Sequence, residues 1–237
     1  MKWRGLEESK AGQHAATLRE ELEERKALAE QYVPREVQEV NQQTVEGLRA
    51  SGMAQKILGV GAEASSFELP DQDGNMLSSC SLLSRGRLVI CFFRGRWCPF
   101  CVAQLEAMNS ALADIQKAGG SLLAISPQTV KQSFFMRDQH QLRFPLLSDS
   151  HNHVARGFGL VYPVPEEQKA VYSRTFVNLP FLNEDSSWEL PIPATYIVAR
   201  DGAVLFASAD PDYTRRPEPA EILRHLRDAG GDPAGPV

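Results

Sequence analysis

"RLVICFF", residues 87–93, is a nearly continuous apolar run that leads straight into "RGRWCPFC", residues 94–101. A strand solvated on one face alternates apolar and polar residues. A run without that alternation reads as a buried strand. Whatever fold the chain adopts must cover this segment and must let it end at two cysteines spaced Cys-x-x-Cys. At 237 residues, with 43% hydrophobic and 23% charged residues, the chain is long enough for one large domain or one domain plus an extension.

The segments around the run supply the cover. "ILGVGAEASSFELPDQDGNMLSS" has short apolar pieces, with Asp73-Gly74 as a tight-turn signal between two strands. From Cys101 onward, Val102, Leu105, Met108, Leu112 and Ile115 recur at helical spacing up to the stop at Gly119-Gly120. "SLLAISP" reads as a strand, "VKQSFFMRDQ" as a helix, "FPLLSD" as a short strand and "HNHVARGFGL" as a short helix. Residues 162–190, with scattered prolines, read as irregular. "ATYIVARDGAVLFASAD" predicts a hairpin turning at Asp201-Gly202, and "PAEILRHLRDAG" a closing helix with Pro219 near its start and Gly230 after its end. Strand–helix alternation followed by an antiparallel pair predicts an α/β fold with a mixed central sheet flanked by helices.

Residues 1–56 differ in character. Residues 5–32 are rich in Glu, Ala, Leu, Lys and Arg and read as a helix; Pro34 interrupts, and a second helix runs to about Gly52. The stripes Leu18, Leu22, Leu28 and Val37, Val40, Leu48 are sparse, so such helices need a surface to lean on. The arm either caps its own domain or joins two subunits as a homodimer. The expected division is an N-terminal helical arm at 1–56, an α/β domain at 57–230 and a tail at 231–237.

Composition excludes some functions. A net charge of -5 argues against a broad nucleic-acid interface. No run approaches the ~18 apolar residues of a membrane span. The charged N-terminus lacks an apolar signal core, which predicts a cytoplasmic protein. In that compartment the four cysteines, Cys80, Cys91, Cys98 and Cys101, are not expected to form a disulfide framework.

Cys98 falls where the strand hands over to a helix beginning near Pro99. The free N–H groups and positive dipole end of a helix favour a thiolate there, below the free-thiol value of ~8.5. Arg94 and Arg96 add positive charge nearby. Cys101 is one turn on, close enough to bridge. A zinc site would need a second ligand pair; Cys80 and Cys91 do not form one, and His151 and His153 beside Asp149 read as a polar turn. No metal and no cofactor is expected. The spacing therefore points to a redox-active pair, with Cys98 attacking and Cys101 resolving. Cys91 reads as an inert core thiol. Trp97 reads equally as a cover for the sulfurs or as core. "DPDYTRRPEP", residues 210–219, reads as an ion-paired structural loop.

"VGAEASSFELPDQDG", "LVICFFRGRWCPFC", "LLAISPQ", "FPLLSDSHNHVARGFGL" and "PATYIVARDGAVLF" together resemble the alkyl hydroperoxide reductase/thiol-specific antioxidant (peroxiredoxin-like) family of the thioredoxin superfamily, over residues 57–228. The resemblance implies a thioredoxin-like fold and reduction of hydroperoxides, with thioredoxin or glutathione/glutaredoxin as reductant. The family's active loop has the pattern Pro-x-x-x-Thr/Ser-x-x-Cys. In one register its Cys falls on Cys101, its Thr on Cys98 and its Pro on Arg94; in the other these fall on Cys98, Gly95 and Cys91. The family's later Arg position is here Pro193, which is similar to the cis proline of thioredoxins and implies a cis Ile192–Pro193 bond. "WCPFC" is similar to the thioredoxin and glutaredoxin motif, whose first Cys is the nucleophile. Arg94, Arg96 and Arg174 are the candidates to replace the missing donors. Two rival functions stay open at this level: a thiol–disulfide reductase, and a non-catalytic redox-sensing interaction protein.

Overall fold

The computed structural model describes residues 16–228. The expected helix start at residue 5, the stop at Gly230 and the tail at 231–237 lie outside the described residues.

Five strands form the central sheet. β3 (Arg87–Phe92) lies in its middle, parallel to β4 (Gly120–Ser126), which is parallel to β5 (Leu146–Ser148). On its other side β3 is antiparallel to β8 (Ala194–Val198), which pairs antiparallel with β9 (Val204–Ala209). The unbroken apolar run of β3 follows from this placement. Alternate residues point to opposite faces, and both faces are covered. Val89, Cys91 and Phe93 join one core, with α4 (Pro99–Ser110), α5 (Leu112–Lys117) and α10 (Pro219–Asp228). Leu88, Ile90 and Phe92 join the other, with Phe158, Leu160, Tyr172 and Tyr196. The hairpin β1 (Glu68–Pro70) and β2 (Met76–Ser78) turns at Asp73-Gly74 as expected. Between β2 and β3 lies α3 (Ser79–Leu83), and α6 (Val130–His140) and α7 (His153–Gly157) flank β5.

Three expectations need correction. The helix after Cys101 is two helices, α4 and α5, that break at Ala111, whose N–H still reaches Ala107 O at 3.1 Å. Residues 162–190 are not irregular. They contain β6 (Val161–Pro163), α8 (Glu166–Arg174), α9 (Leu179–Asn183) and β7 (Glu189–Pro191), with β6 and β7 antiparallel. The prolines that suggested an irregular segment punctuate these elements: Pro165 is the N-cap of α8, and Pro180 sits in the first turn of α9, where a missing N–H costs nothing. Finally, no peptide bond among the described residues is cis, so Ile192–Pro193 is trans. The chain runs extended from β7 into β8 there, and the Ile192 N–H donates to Leu160 O at 2.8 Å.

The arm consists of α1 (Leu18–Tyr32) and α2 (Arg35–Ala50), packed on their own domain. Thr17 and Glu20 close a capping box at the start of α1. Leu18 and Leu22 enter the core beside α4, and Val37 is buried. Polar ties add register: Thr44 Oγ1 donates to Gln168 Oε1 on α8 at 3.1 Å, and Arg49 pairs with Asp210 at 3.4 Å. No helix among the described residues is long and apolar enough to cross a membrane.

Candidate active site

The site forms where β3 ends. Phe93 still donates to Ile125 O at 3.0 Å, and the chain then leaves the sheet. Gly95 has φ +144°, and a Cβ there would lie 2.5 Å from the Trp97 indole nitrogen, so only glycine lets the loop fold back on Trp97. Cys98 is the N-cap of α4, and Pro99 is its first residue. Cys98 O accepts the N–H groups of Cys101 and Val102 at 3.0 and 3.1 Å. This first turn brings the two sulfurs to 2.8 Å, where one thiol hydrogen-bonds the other. Both cysteines are free thiols and both are buried, Cys98 at 1% and Cys101 at 0% exposure. Trp97, Phe100 and the arm surround Cys98.

The charge also falls differently from the helix-terminus expectation. Burial pushes the Cys98 thiol well above its ordinary value, and its hydrogen bond to Cys101 and the charge on Cys101 push it further. Burial acts on Cys101 as well, but the Cys98 hydrogen bond, Arg216, Arg94 and the Arg94 backbone N–H outweigh it and bring Cys101 to about 6. Arg216 Nη2 lies 3.7 Å from the Cys101 sulfur. The two directions are opposite: the surroundings favour the thiol on Cys98 and the thiolate on Cys101.

Arg94 is the second cation. It is buried, at 4% exposure, and its guanidinium carbon sits 4.6 Å from the Trp97 ring centroid and 4.3 Å from that of Tyr213. Its Nη2 donates to the Tyr172 hydroxyl, while its buried Nε has no hydrogen-bond partner among the described residues. Aromatic faces offset part of the cost of burying this charge. Burial pushes the Tyr213 hydroxyl up to about 12, so it stays a neutral neighbour.

The remaining residues singled out from sequence divide between the site and its supports. Arg96 turns away: its N–H donates to Gln128 Oε1 at 2.9 Å and its guanidinium reaches Gln132 and Gln139, tying the loop to α6. Arg174 is exposed and pairs with Glu36 at 3.8 Å. Pro193 is buried one residue before Ala194, which pairs with Phe92 at the site end of β3. Cys91 is fully buried and its thiol is pushed up to about 12, which leaves it inert. Cys80 is exposed on α3 and lines a separate hollow with Phe67 and Leu88. Asp149 caps α7 by accepting the Val154 and Ala155 N–H groups at 2.9 Å each. The loop at 210–219 is ion-paired as read, with Arg215 near Asp210 and Asp212, but it also delivers Tyr213 and Arg216 to the cysteines. From sequence those two residues were read only as part of a structural loop, with a substrate site as the alternative, and Tyr172 went unassigned. No local pattern marks them, since each comes from a segment more than 70 residues beyond the pair.

Cys98 opens on a cavity of about 460 Å³. Arg94, Trp97 and Phe100 share its floor, α8 and Tyr213 form one side, and the arm forms the other. Cys101 lies behind Cys98, outside the lining.

Comparison with known proteins gives concordant matches. The sequence profile of the AhpC/TSA family matches residues 60–207. A putative peroxiredoxin of Mycobacterium tuberculosis is 29% identical over 147 residues, 62% of this chain and 82% of that protein. A putative peroxiredoxin of Coxiella burnetii is 33% identical over 103 residues, 43% of this chain and 67% of that protein. Among solved structures, the peroxidoxin BcpB of Mycobacterium tuberculosis superposes with a TM-score of 0.57 at 22% identity, over 72% of this chain and 97% of that one. Peroxiredoxin 6 of Arenicola marina superposes with a TM-score of 0.59 at 18% identity, over 73% of this chain and 74% of that one. At these identities the superpositions establish the thioredoxin-like fold alone.

Proposed function

Since this chain belongs to the AhpC/TSA family, we propose that its thiol-dependent peroxidase chemistry runs through Cys98 and Cys101. The observation that supports this most is the approach of two buried free thiols to 2.8 Å, with Cys98 facing a cavity that also holds the buried cation Arg94. Cys98 passes its proton to Cys101 as its sulfur attacks the distal oxygen of the hydroperoxide. The O–O bond breaks, the alkoxide leaves, and it takes that proton from Cys101 to become an alcohol. Cys98 is left as a sulfenic acid, oxidised by two electrons. The Arg94 guanidinium stabilises the charge on the departing oxygen, the part a Thr and an Arg would play in the family pattern. The Cys101 thiolate then attacks the Cys98 sulfur, hydroxide leaves and is protonated to water, and a Cys98–Cys101 disulfide forms. Two electrons from a thiol reductant, thioredoxin or glutathione with glutaredoxin, return the pair to the dithiol. A reducing cytoplasm fits this cycle.

The rival reading as a disulfide reductase on proteins fits less well. Docking a protein disulfide requires an exposed attacking sulfur, and Cys98 is 1% exposed. The test is sulfenic-acid trapping by dimedone after hydroperoxide addition. Cys98→Ser should give no adduct, and Cys101→Ser should accumulate one on Cys98 and form no internal disulfide. An adduct on Cys101 in the Cys98→Ser protein would exchange the two roles.

A further inference from the structure

We infer that the cavity in front of Cys98 is the docking site of the reductant, and that this reductant is a small thiol of tripeptide size bearing both carboxylate and ammonium groups rather than a protein dithiol; the inference rests on the Cys98–Cys101 disulfide of the cycle proposed above. Reduction needs a sulfur to reach that bond. Cys98 is 1% exposed and Cys101 0%, and of the two only Cys98 lines the cavity. A reducing sulfur therefore has to enter this space and meet Cys98. Helices α1 and α2 stand on one side of it, α8 and Tyr213 on the other. The arm is held there: Leu22 is buried at 5% exposure, Thr44 donates to Gln168, and Arg49 pairs with Asp210. The family match begins at residue 60, so this enclosure is the work of a segment outside it. A volume of about 460 Å³ lies within the ~300–1,000 Å³ usual for small-molecule sites. It admits a tripeptide and excludes the folded surface on which a protein carries its dithiol.

The lining supplies the recognition. The arm brings the cations Lys26 and Arg49 and the anions Glu30 and Glu46 to it, together with the amides of Asn41 and Gln42. Charges of both signs beside neutral amides match a short peptide that carries carboxylates, an ammonium and amide bonds. At the Cys98 end, the buried Arg94 cation favours the thiolate form of the incoming thiol. The direction of attack fits as well. The incoming thiolate attacks the Cys98 sulfur, the Cys98–Cys101 bond breaks, and Cys101 leaves as a thiolate with Arg216 Nη2 3.7 Å away. A thiol of lower pKa leaves faster, and Cys101 is brought to about 6. A second thiolate then attacks the small thiol's sulfur in the mixed disulfide. Cys98 is released, and the small thiol departs as its own disulfide. Two thiols thus give up two electrons and two protons and restore the dithiol.

The test uses the full chain with the disulfide prepared by diamide, so that its reduction is read apart from peroxide chemistry. Glutathione, 2-mercaptoethanol and a thioredoxin are added in turn, and the thiols are counted by acid quench, maleimide labelling and mass. The rate should saturate with glutathione and stay linear with uncharged 2-mercaptoethanol. At equal concentration thioredoxin should be the slower reductant. Lys26→Glu and Glu46→Lys change exposed side chains that pack against no core, and each should raise the half-saturating glutathione concentration about fivefold or more. A parallel stopped-flow run oxidises the dithiol with hydroperoxide. If the thiols stay reduced, the peroxidase reading falls, and this step of its cycle with it. If they are oxidised but glutathione does not saturate, thioredoxin is the faster reductant, or neither variant moves the half-saturating concentration, only the inference falls.

Discussion

Arg94 and Arg216 act on the same two sulfurs from different places, and their replacement should separate two roles. Arg216 is half-buried, and its Nη2 lies 3.7 Å from the Cys101 sulfur. Arg216→Met removes a cation that holds the thiolate, so the Cys101 titration should rise from about 6 toward the ordinary thiol range, read from the pH dependence of the thiolate ultraviolet absorbance. An unshifted titration would show that the Cys98 hydrogen bond and Arg94 hold the charge without Arg216. Arg94 lines the cavity with Cys98, so Arg94→Met should slow the reaction with hydroperoxide by about a hundredfold. Methionine keeps length and contact with the Trp97 and Tyr213 rings, and stopped-flow oxidation of the thiols reads the rate. An unchanged rate would remove Arg94 from the chemistry.

At the level of elements, α4 and the arm depend on one another. Helix α1 alone has too narrow an apolar stripe to persist. It is ordered because Leu18 and Leu22 enter the core beside α4, the helix that carries both cysteines. Its ion pairs with the domain are largely exposed and contribute little, so the apolar contacts decide whether it stays docked. Leu22→Ala should therefore lower stability by ~2–5 kcal/mol, the usual range for a buried leucine, measured as a shifted denaturant midpoint. A midpoint that does not move would mean that the arm is docked by its polar ties instead. Arg96 has a comparable supporting part: by bonding Gln128, Gln132 and Gln139 it holds the cysteine loop against α6, whereas its position in sequence suggested a direct effect on the thiols.

Across the molecule, the rate of thiol oxidation by hydroperoxide should follow one ionisation. The reactive state is the singly protonated pair. The rate should rise as pH increases through about 6, where Cys101 loses its proton, and then stay level through the neutral range. The second proton, held on Cys98 by burial and by the charge on Cys101, leaves only well above the ordinary thiol range. A profile that rose instead through the free-thiol value of ~8.5 would contradict the shared proton. The buried strand "RLVICFF", its handover to a helix at Cys98-Pro99 and the one-turn cysteine spacing were all legible in the chain, because each is set by contiguous residues and by the period of the local structure. The same holds for the hairpins at Asp73-Gly74 and Asp201-Gly202. The elements between 162 and 190 were hidden because their apolar residues, among them Tyr162, Val164, Tyr172, Val177, Leu179 and Leu190, show no regular period until they meet a partner. Which sulfur carries the charge was beyond local reading as well. The helix-terminus argument weighed the dipole at Cys98, but burial of both thiols and a guanidinium 115 residues from Cys101 along the chain weigh more. Local sequence thus determined the pair and the strand that presents it. The tertiary structure alone decided its charge, its enclosure and the wall it faces, because electrostatics and burial depend on distances in space that the order of residues does not contain.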